Sequence, residues 1–319
     1  MPLEHQIILA VVLDLLLGDP RWFPHPVQLI GKWARFLERR LRRKVKNPYL
    51  AGVSVFMLVL LVVAGLTVGI LHGARLVHPL FADGLSIFLL YTTVSIRSLI
   101  EHSSNVLRAL KSNDLKKARK QVAKMVGRDC ECLDEVEITR ATVESVAENL
   151  VDGITAPLFF AIVAGPVGAM MFKTVSTLDS MFGHRNEKYH AFGWISAKVD
   201  DLAVFLPARL TAPLISVSAG ILGMHPIRSI KIFLRDRKNH PSPNAGQSES
   251  AVAGALGIQL GGFNYYSGQL RDMPLLGEEL CPLQARHIQQ ANWLILVSSG
   301  LVLNIFLWLR LGVRSVWGY

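Results

Sequence analysis

The chain has 319 residues, of which 51% are hydrophobic and only 18% charged, yet its formal net charge is +10. An ordinary soluble domain carries about 25% charged residues, and disorder requires low hydrophobicity. The composition therefore excludes an intrinsically disordered chain and argues against a soluble nucleic-acid binder, leaving open where the positive charge sits.

Leu3–Leu17 is apolar but short, with Asp14 inside it. It has no basic leader and no small-residue cleavage pattern, so it reads as a retained helix and not a signal peptide. It runs into Gly18-Asp19-Pro20-Arg21-Trp22-Phe23-Pro24-His25-Pro26, where the prolines predict a rigid turn that presents Asp19 and His25 at the membrane boundary. Lys32–Lys46 holds eight Lys/Arg against Glu38, a net of +7, and by the positive-inside rule is a cytoplasmic loop. Tyr49–Leu71 is 23 residues without a charge, enough for the ~20 that a spanning helix needs. Leu85–Ile100 and Trp293–Leu309 are further candidate spans. Glu101–Asn149 and Arg228–His240 are basic and read as cytoplasmic.

Two apolar stretches are broken. Leu150–Phe172 contains Asp152, Pro157 and Gly165-Pro166; Leu202–Met224 contains Pro207, Arg209 and Pro213. Backbone breaks and an Arg at membrane depth are tolerated where they are buried in protein or line a cavity, so these stretches are expected to be re-entrant or cavity-lining. The remaining polar segments read as helical: Asp134 and Glu137 fit a capping box, and Asp114 fits an N-cap. No alternating strand pattern of useful length stands out. The fold class is an all-α polytopic membrane protein, with about four spanning helices, two broken segments and cytoplasmic helical loops, in a single domain over 1–319.

Several polar clusters border the grease. Asp19 and His25 are candidate catalytic groups. Gly127-Arg128-Asp129 is by itself a weak signal, since an Arg-Asp pair in a loop is usually a surface ion pair. Glu144, Glu148 and Asp152 are spaced i, i+4, i+8 on one helical face. Hard oxygen ligands of this type suit Mg²⁺, which keeps waters and bridges to substrate phosphates. Asp179 and Lys188 lie in a second polar segment, and Asp200-Asp201 form an acidic pair at an apolar boundary. Arg235, Asp236, Asn239, His240, Ser242, Asn244 and Glu249 form a basic, proline-broken loop leading into a small-residue helix, a pattern suited to phosphate. Cys130, Cys132 and Cys281 are too few for a four-ligand zinc site. No P-loop, dinucleotide-binding glycine pattern or H-E-x-x-H is present.

These clusters, in this order, resemble one family. The strings GDPRWFPHPVQLIGK, GRD, VESVAENLVDGITAPLFF, STLDSMFGHRNEKYHAFG, AKVDDLAVFLPARL and RDRKNHPSPNAGQSESAVAGALGIQLGG are similar to the adenosylcobinamide-phosphate synthase family of cobalamin biosynthesis (CobD/CbiB type), over nearly the whole length. Ser176 and His184 depart from the family's commoner Asn and Tyr. The resemblance implies an integral inner-membrane amide ligase with its active site facing the cytoplasm. Such an enzyme joins (R)-1-aminopropan-2-ol or its O-phosphate to the propionate carboxyl of adenosylcobyric acid, driven by ATP. It also implies a complex with the synthase of the later membrane step, and no nucleic-acid partner. Under that resemblance, Glu144, Glu148, Asp152, Asp200 and Asp201 are candidate Mg²⁺ ligands. Arg128, Arg209, Arg235 and their polar neighbours are candidate phosphate or corrinoid contacts, and His25, His240 or Glu249 is the candidate base. Phe263–Tyr266 is a candidate corrinoid surface. Two rivals remain: an intramembrane Mg²⁺-dependent prenyltransferase, against which the two Asp-rich motifs are missing, and a transporter, which leaves the 239–244 loop without a role.

Overall fold

In a computed structural model of the chain, the described residues are 1–19, 25–183, 187–266 and 268–317, with side chains through Gly312. The prolines 20 and 24 of the expected turn, and His184, lie outside them. The described residues form twelve α-helices and one β-hairpin. Five helical stretches are long and apolar enough to cross a membrane: Pro48–Val77, Pro79–Lys111, Glu135–Phe182, Trp194–Ile221 and Arg286–Gly312. The chain is thus a helical polytopic membrane protein, and both broken stretches belong to helices of spanning length.

Two compact units divide the chain. The first comprises Met1–Ser95, Ala156–Val204 and Phe306–Tyr319. It contains α1 (Leu3–Leu17), α2 (Pro26–Lys44), α3 (Pro48–Val77), α4 (Pro79–Tyr91) and α8 (Ala156–Phe182), with the start of α9 (Trp194–Ile221) and the end of α12 (Arg286–Trp317). Helix α3 begins where the sequence can supply its cap: the Asn47 carboxamide oxygen accepts the Tyr49 N–H at 2.9 Å, and Pro48 occupies a first-turn position that needs no donor. Ile30 and Ala34 of α2, Val55, Phe56 and Val59 of α3, and Leu178 and Phe182 of α8 form its core. Leu58, Leu61 and Leu66 of α3 stay exposed, as a lipid-facing surface requires. Helix α8 is interrupted at Ala164 and Gly165, where Gly165 has φ 61° ahead of Pro166. Only glycine takes that conformation at little cost, and Pro166 lacks the N–H that would continue the ladder. Helix α9 runs unbroken through Pro207 and Pro213. That stretch therefore does not double back as a re-entrant hairpin.

The second unit comprises Ile96–Thr155 and Phe205–Ile305. It holds α5 (Ile96–Lys111), α6 (Leu115–Val122), α7 (Glu135–Leu150), α10 (Pro226–Asp236), α11 (Ala245–Leu256) and the remainders of α9 and α12. The capping box forms as read: the Asp134 carboxylate accepts the Glu137 N–H at 2.8 Å, and Glu137 accepts the Asp134 N–H at 2.9 Å. Leu150 ends the α-helical register, and Val151–Thr155 follow as a π-helical turn. The one departure from helix is an antiparallel hairpin, β1 (Gln259–Tyr266) with β2 (Gln269–Gly277), which corrects the expectation that no strand is present. A bulge between Leu260 and Gly262 interrupts its register, with Gly261 and Gly262 at φ 88° and 83°.

Candidate active site

A cavity of about 200 Å³ opens in the second unit. Its walls come from α7 (Glu144, Glu148), the loop before it (Arg128), the turn after α10 (His240), α11 (Glu249) and β1 (Asn264, Tyr266). Five residues separated by up to 121 sequence positions, Arg128, Glu144, Glu148, His240 and Glu249, are thereby gathered into one polar chamber.

The guanidinium of Arg128 is held on both sides. It donates to a Glu144 carboxylate oxygen and, at 2.6 Å, to the Asn264 side-chain oxygen. The other oxygen of Glu144 accepts the Gly261 N–H at 2.8 Å. This explains the bulge: an antiparallel ladder would use that N–H, and the two glycines turn it toward α7. Burial opposes the Arg128 charge, but the Glu144 carboxylate outweighs it and holds the guanidinium above its ordinary range. Arg128 thus lines the chamber already paired with Glu144.

Glu249 is 6% exposed. Burial first, then the neighbouring charges of Glu144 and Glu148, push its carboxyl well above the ordinary carboxylate range. His240 Nε2 lies 3.9 Å from Glu249. Its Nδ1 accepts the Ser242 N–H at 3.0 Å. The same nitrogen also lies 3.3 Å from the Ser242 carbonyl oxygen, so the Ser242 backbone holds the ring in place on its Nδ1 side. Burial pushes the imidazole below its usual value, which favours the neutral form. Among the chamber's acids, Glu249 is the one whose carboxyl is raised and so the stronger base once ionised.

With Arg128 and Glu144 compensating each other and His240 neutral, the carboxyl groups of Glu148 and Glu249 decide the sign of the chamber. It suits a cation or an ammonium better than a bare phosphate. Among the described residues, no three His, Cys, Asp or Glu side chains converge into a closed metal site. The donor set fits Mg²⁺ in its usual mode, with one or two carboxylates and the rest of the shell from water and phosphate oxygens.

The other predicted residues fall elsewhere. Asp152 sits on the π-helical turn and does not line the cavity, because the i, i+4, i+8 face ends where the α-helix does. Asp129 accepts the Gly268 N–H at 2.7 Å and so holds the hairpin turn. Arg235 donates to Asp236 at 2.7 Å and to Glu278 at 2.5 Å, while Asp236 also accepts the Gly277 N–H at 2.8 Å. This pair therefore fastens β2 to α10, and its carboxylate is held low against burial by Arg235 and Gly277. Arg209 donates to the Phe205 carbonyl at 2.7 Å and to Asn244 at 3.3 Å. The Ser242 hydroxyl accepts the Asn244 and Ala245 N–H groups at 3.3 and 3.2 Å, occupying the start of α11 itself. Asn239 is exposed in the turn after α10. In the first unit, His25 Nε2 lies 3.6 Å from Asp19. Its Nδ1 accepts the Val27 N–H at 3.3 Å as the cap of α2. Lys188 lies 3.9 Å from Glu38. Asp179, Asp200 and Asp201 also belong to that unit, on α8 and α9. Asn264 and Tyr266, expected within a corrinoid-facing stretch at 263–266, line the chamber of Glu144 and Glu249. Their period-2 alternation with exposed Phe263 and Tyr265 was the available signal.

Fold and cavity define a helical polytopic membrane protein with a carboxylate-rich chamber beside its spans. The CobD/Cbib protein family matches residues 7–295, and the chain belongs to that family. It is 47% identical over 293 residues to "Cobalamin biosynthesis protein CobD" of Leptospira interrogans serovar copenhageni, covering 92% of this chain and 93% of that one. It is 45% identical to the protein of that name from Clostridium perfringens over 307 residues, 96% and 97% of the two chains. It is 42% identical to "Cobalamin biosynthesis protein CbiB" of Salmonella typhi over 311 residues, 97% and 98%. No solved structure matches the chain.

Proposed function

We propose that this protein acts in cobalamin biosynthesis as a membrane-bound, ATP-dependent amide ligase. It would join (R)-1-aminopropan-2-ol or its O-phosphate to the propionate carboxyl of adenosylcobyric acid. The observation that carries the reading is the chamber of Arg128, Glu144, Glu148, His240 and Glu249, which the strings that carry the family resemblance build. Family membership and the names of the relatives support the pathway. The chemistry of the chamber supports the reaction.

An amide bond needs a neutral amine, and the aminoalcohol arrives as an ammonium. Glu148 draws that cation in, and Glu249 in its ionised form, a stronger base than an ordinary carboxylate because burial raises it, accepts the proton that the nitrogen must lose. His240 Nε2 stands 3.9 Å from Glu249, near enough to share its charge. A carboxylate is a poor acyl donor, so its oxygen first takes the terminal phosphoryl group of ATP. The amine then attacks the carbonyl carbon and phosphate leaves. Glu148 would hold Mg²⁺, with water and phosphate oxygens completing its shell, and the ion would supply charge neutralisation for the phosphoryl group. Arg128 keeps Glu144 in place. The test is purified protein with adenosylcobyric acid, Mg·ATP and either amine. Amide product by mass spectrometry is expected; no product with either amine form overturns the reading.

A further inference from the structure

Helix α10 divides its surface three ways. Ser229, Ile232, Phe233 and Asp236 are buried within the second unit. Ile227, Ile230 and Leu234, at i, i+3, i+7, are 70%, 45% and 56% exposed. Arg228, Lys231 and Arg235 repeat that spacing one residue on and form the third face. A cavity of about 640 Å³ lies along this third face, lined by His225, Ile227, Arg228, Lys231 and Arg235 and by one acid, Glu278. It is separate from the chamber of Glu144 and Glu249.

Arg235 is already engaged by Asp236 and Glu278. Arg228 and Lys231 have no acidic partner among the described residues, so the cavity presents two uncompensated cations. Its position on the chain decides what meets them. Helix α9, of spanning length, ends at Ile221, and α10 begins at Pro226. Four linking residues reach at most about 14 Å, so α10 starts at the membrane boundary. A free phosphate would use the cations and leave Ile227, Ile230 and Leu234 in water. An amphipathic helix at an interface places such a face among acyl chains and its basic flank at headgroups.

We propose that this cavity binds the headgroup of an acidic phospholipid, with Arg228 and Lys231 on its phosphate and the Ile227–Ile230–Leu234 strip among the acyl chains. The site is independent of the ligase reading, since it uses none of the chamber's residues.

The test uses the full-length protein in nanodiscs of phosphatidylglycerol or phosphatidylcholine, with lipid retention read by native mass spectrometry. The wild type is expected to retain phosphatidylglycerol selectively, and excess inorganic phosphate should not displace it. Each basic residue near an anionic surface is worth about fivefold, so Arg228→Gln/Lys231→Gln should weaken retention roughly 25-fold. Ile230→Ser/Leu234→Ser should weaken it with the cations intact. Equal retention of both lipids by the wild type overturns the proposal without relying on any variant. So does unchanged retention in the monodisperse Arg228→Gln/Lys231→Gln variant, or displacement by inorganic phosphate, which would mark a free-anion site.

Discussion

Replacing Arg128 with Met removes the cation that compensates Glu144 inside the chamber. Both side chains are buried, 9% and 8% exposed, so solvent screens the pair weakly. Glu144 would keep the Gly261 N–H at 2.8 Å as its remaining donor. Stripping one member from a buried pair costs about 3–5 kcal/mol. For a chain of 319 residues, an unfolding entropy of about 2.1 cal/mol/K per residue converts that into a Tm lower by roughly 5–8 °C. Glu144→Leu strands Arg128 in the same way. Arg128→Met/Glu144→Leu removes both charges and should recover much of the loss, a coupling of about 1–3 kcal/mol. Thermal unfolding of all four proteins in one detergent measures the cycle. Losses that simply add in the double variant, or single variants within 1 °C of the parent, would refute the reasoning.

Glu249→Gln should lower amide formation by about 10²-fold or more without lowering Tm. A carboxyl raised by burial is stabilised in its protonated form, so its ionisation opposes folding above its ordinary value, and the neutral amide removes that opposition. The wild-type rate should rise with pH through the raised value of Glu249, and a Glu249→Asp profile of identical shape would contradict its role as base. His240 has the opposite sign: its folded value is depressed, so the stability it contributes is full above its unfolded value of about 6.5 and is lost as pH falls toward the folded one. Thermal scans from pH 8 to 5 should show that decline in the wild type, and less of it in His240→Gln. Gly261→Ala forces a side chain into φ 88°, against the Pro274 carbonyl. It should cost more than the ~1–2 kcal/mol of left-handed strain alone, because the carbonyl must also move, and cut turnover by moving the N–H that holds Glu144; unchanged Tm and rate would show that the bulge is dispensable.

The spans were legible because apolar length is a direct statement about a bilayer. Tyr49–Leu71 lies within α3, and the Asp134–Glu137 box opens α7 as its residue types require. The chamber was half legible: acids at i and i+4 put Glu144 and Glu148 on one face, and the cap-rich loop around His240 announced a special turn. The continuation of that face to Asp152 was not legible, because a π-helical turn leaves no periodic trace in sequence. The hairpin escaped because Gly261 and Gly262 break the alternation that would reveal β1, at the point where the backbone turns toward Glu144. The acidic partners of Arg128 and Arg235 were less legible, because they are assigned by tertiary structure. Asp236 is adjacent, but Glu144 is 16 positions from Arg128, and Glu278 is 43 from Arg235. A composition-level +10 thus separates into a topology signal at Lys32–Lys46, compensated pairs in the second unit, and the two cations of the α10 cavity.

The most direct test of the central claim follows amide formation and ATP consumption together, in the wild type and in Glu148→Gln and Glu249→Gln, with adenosylcobyric acid and aminopropanol phosphate in the same bilayer preparation. The chamber account predicts one ATP consumed per amide formed, with both lost in the two variants while each protein stays folded. Amide formed at the wild-type rate in both variants, or formed without ATP, would contradict it.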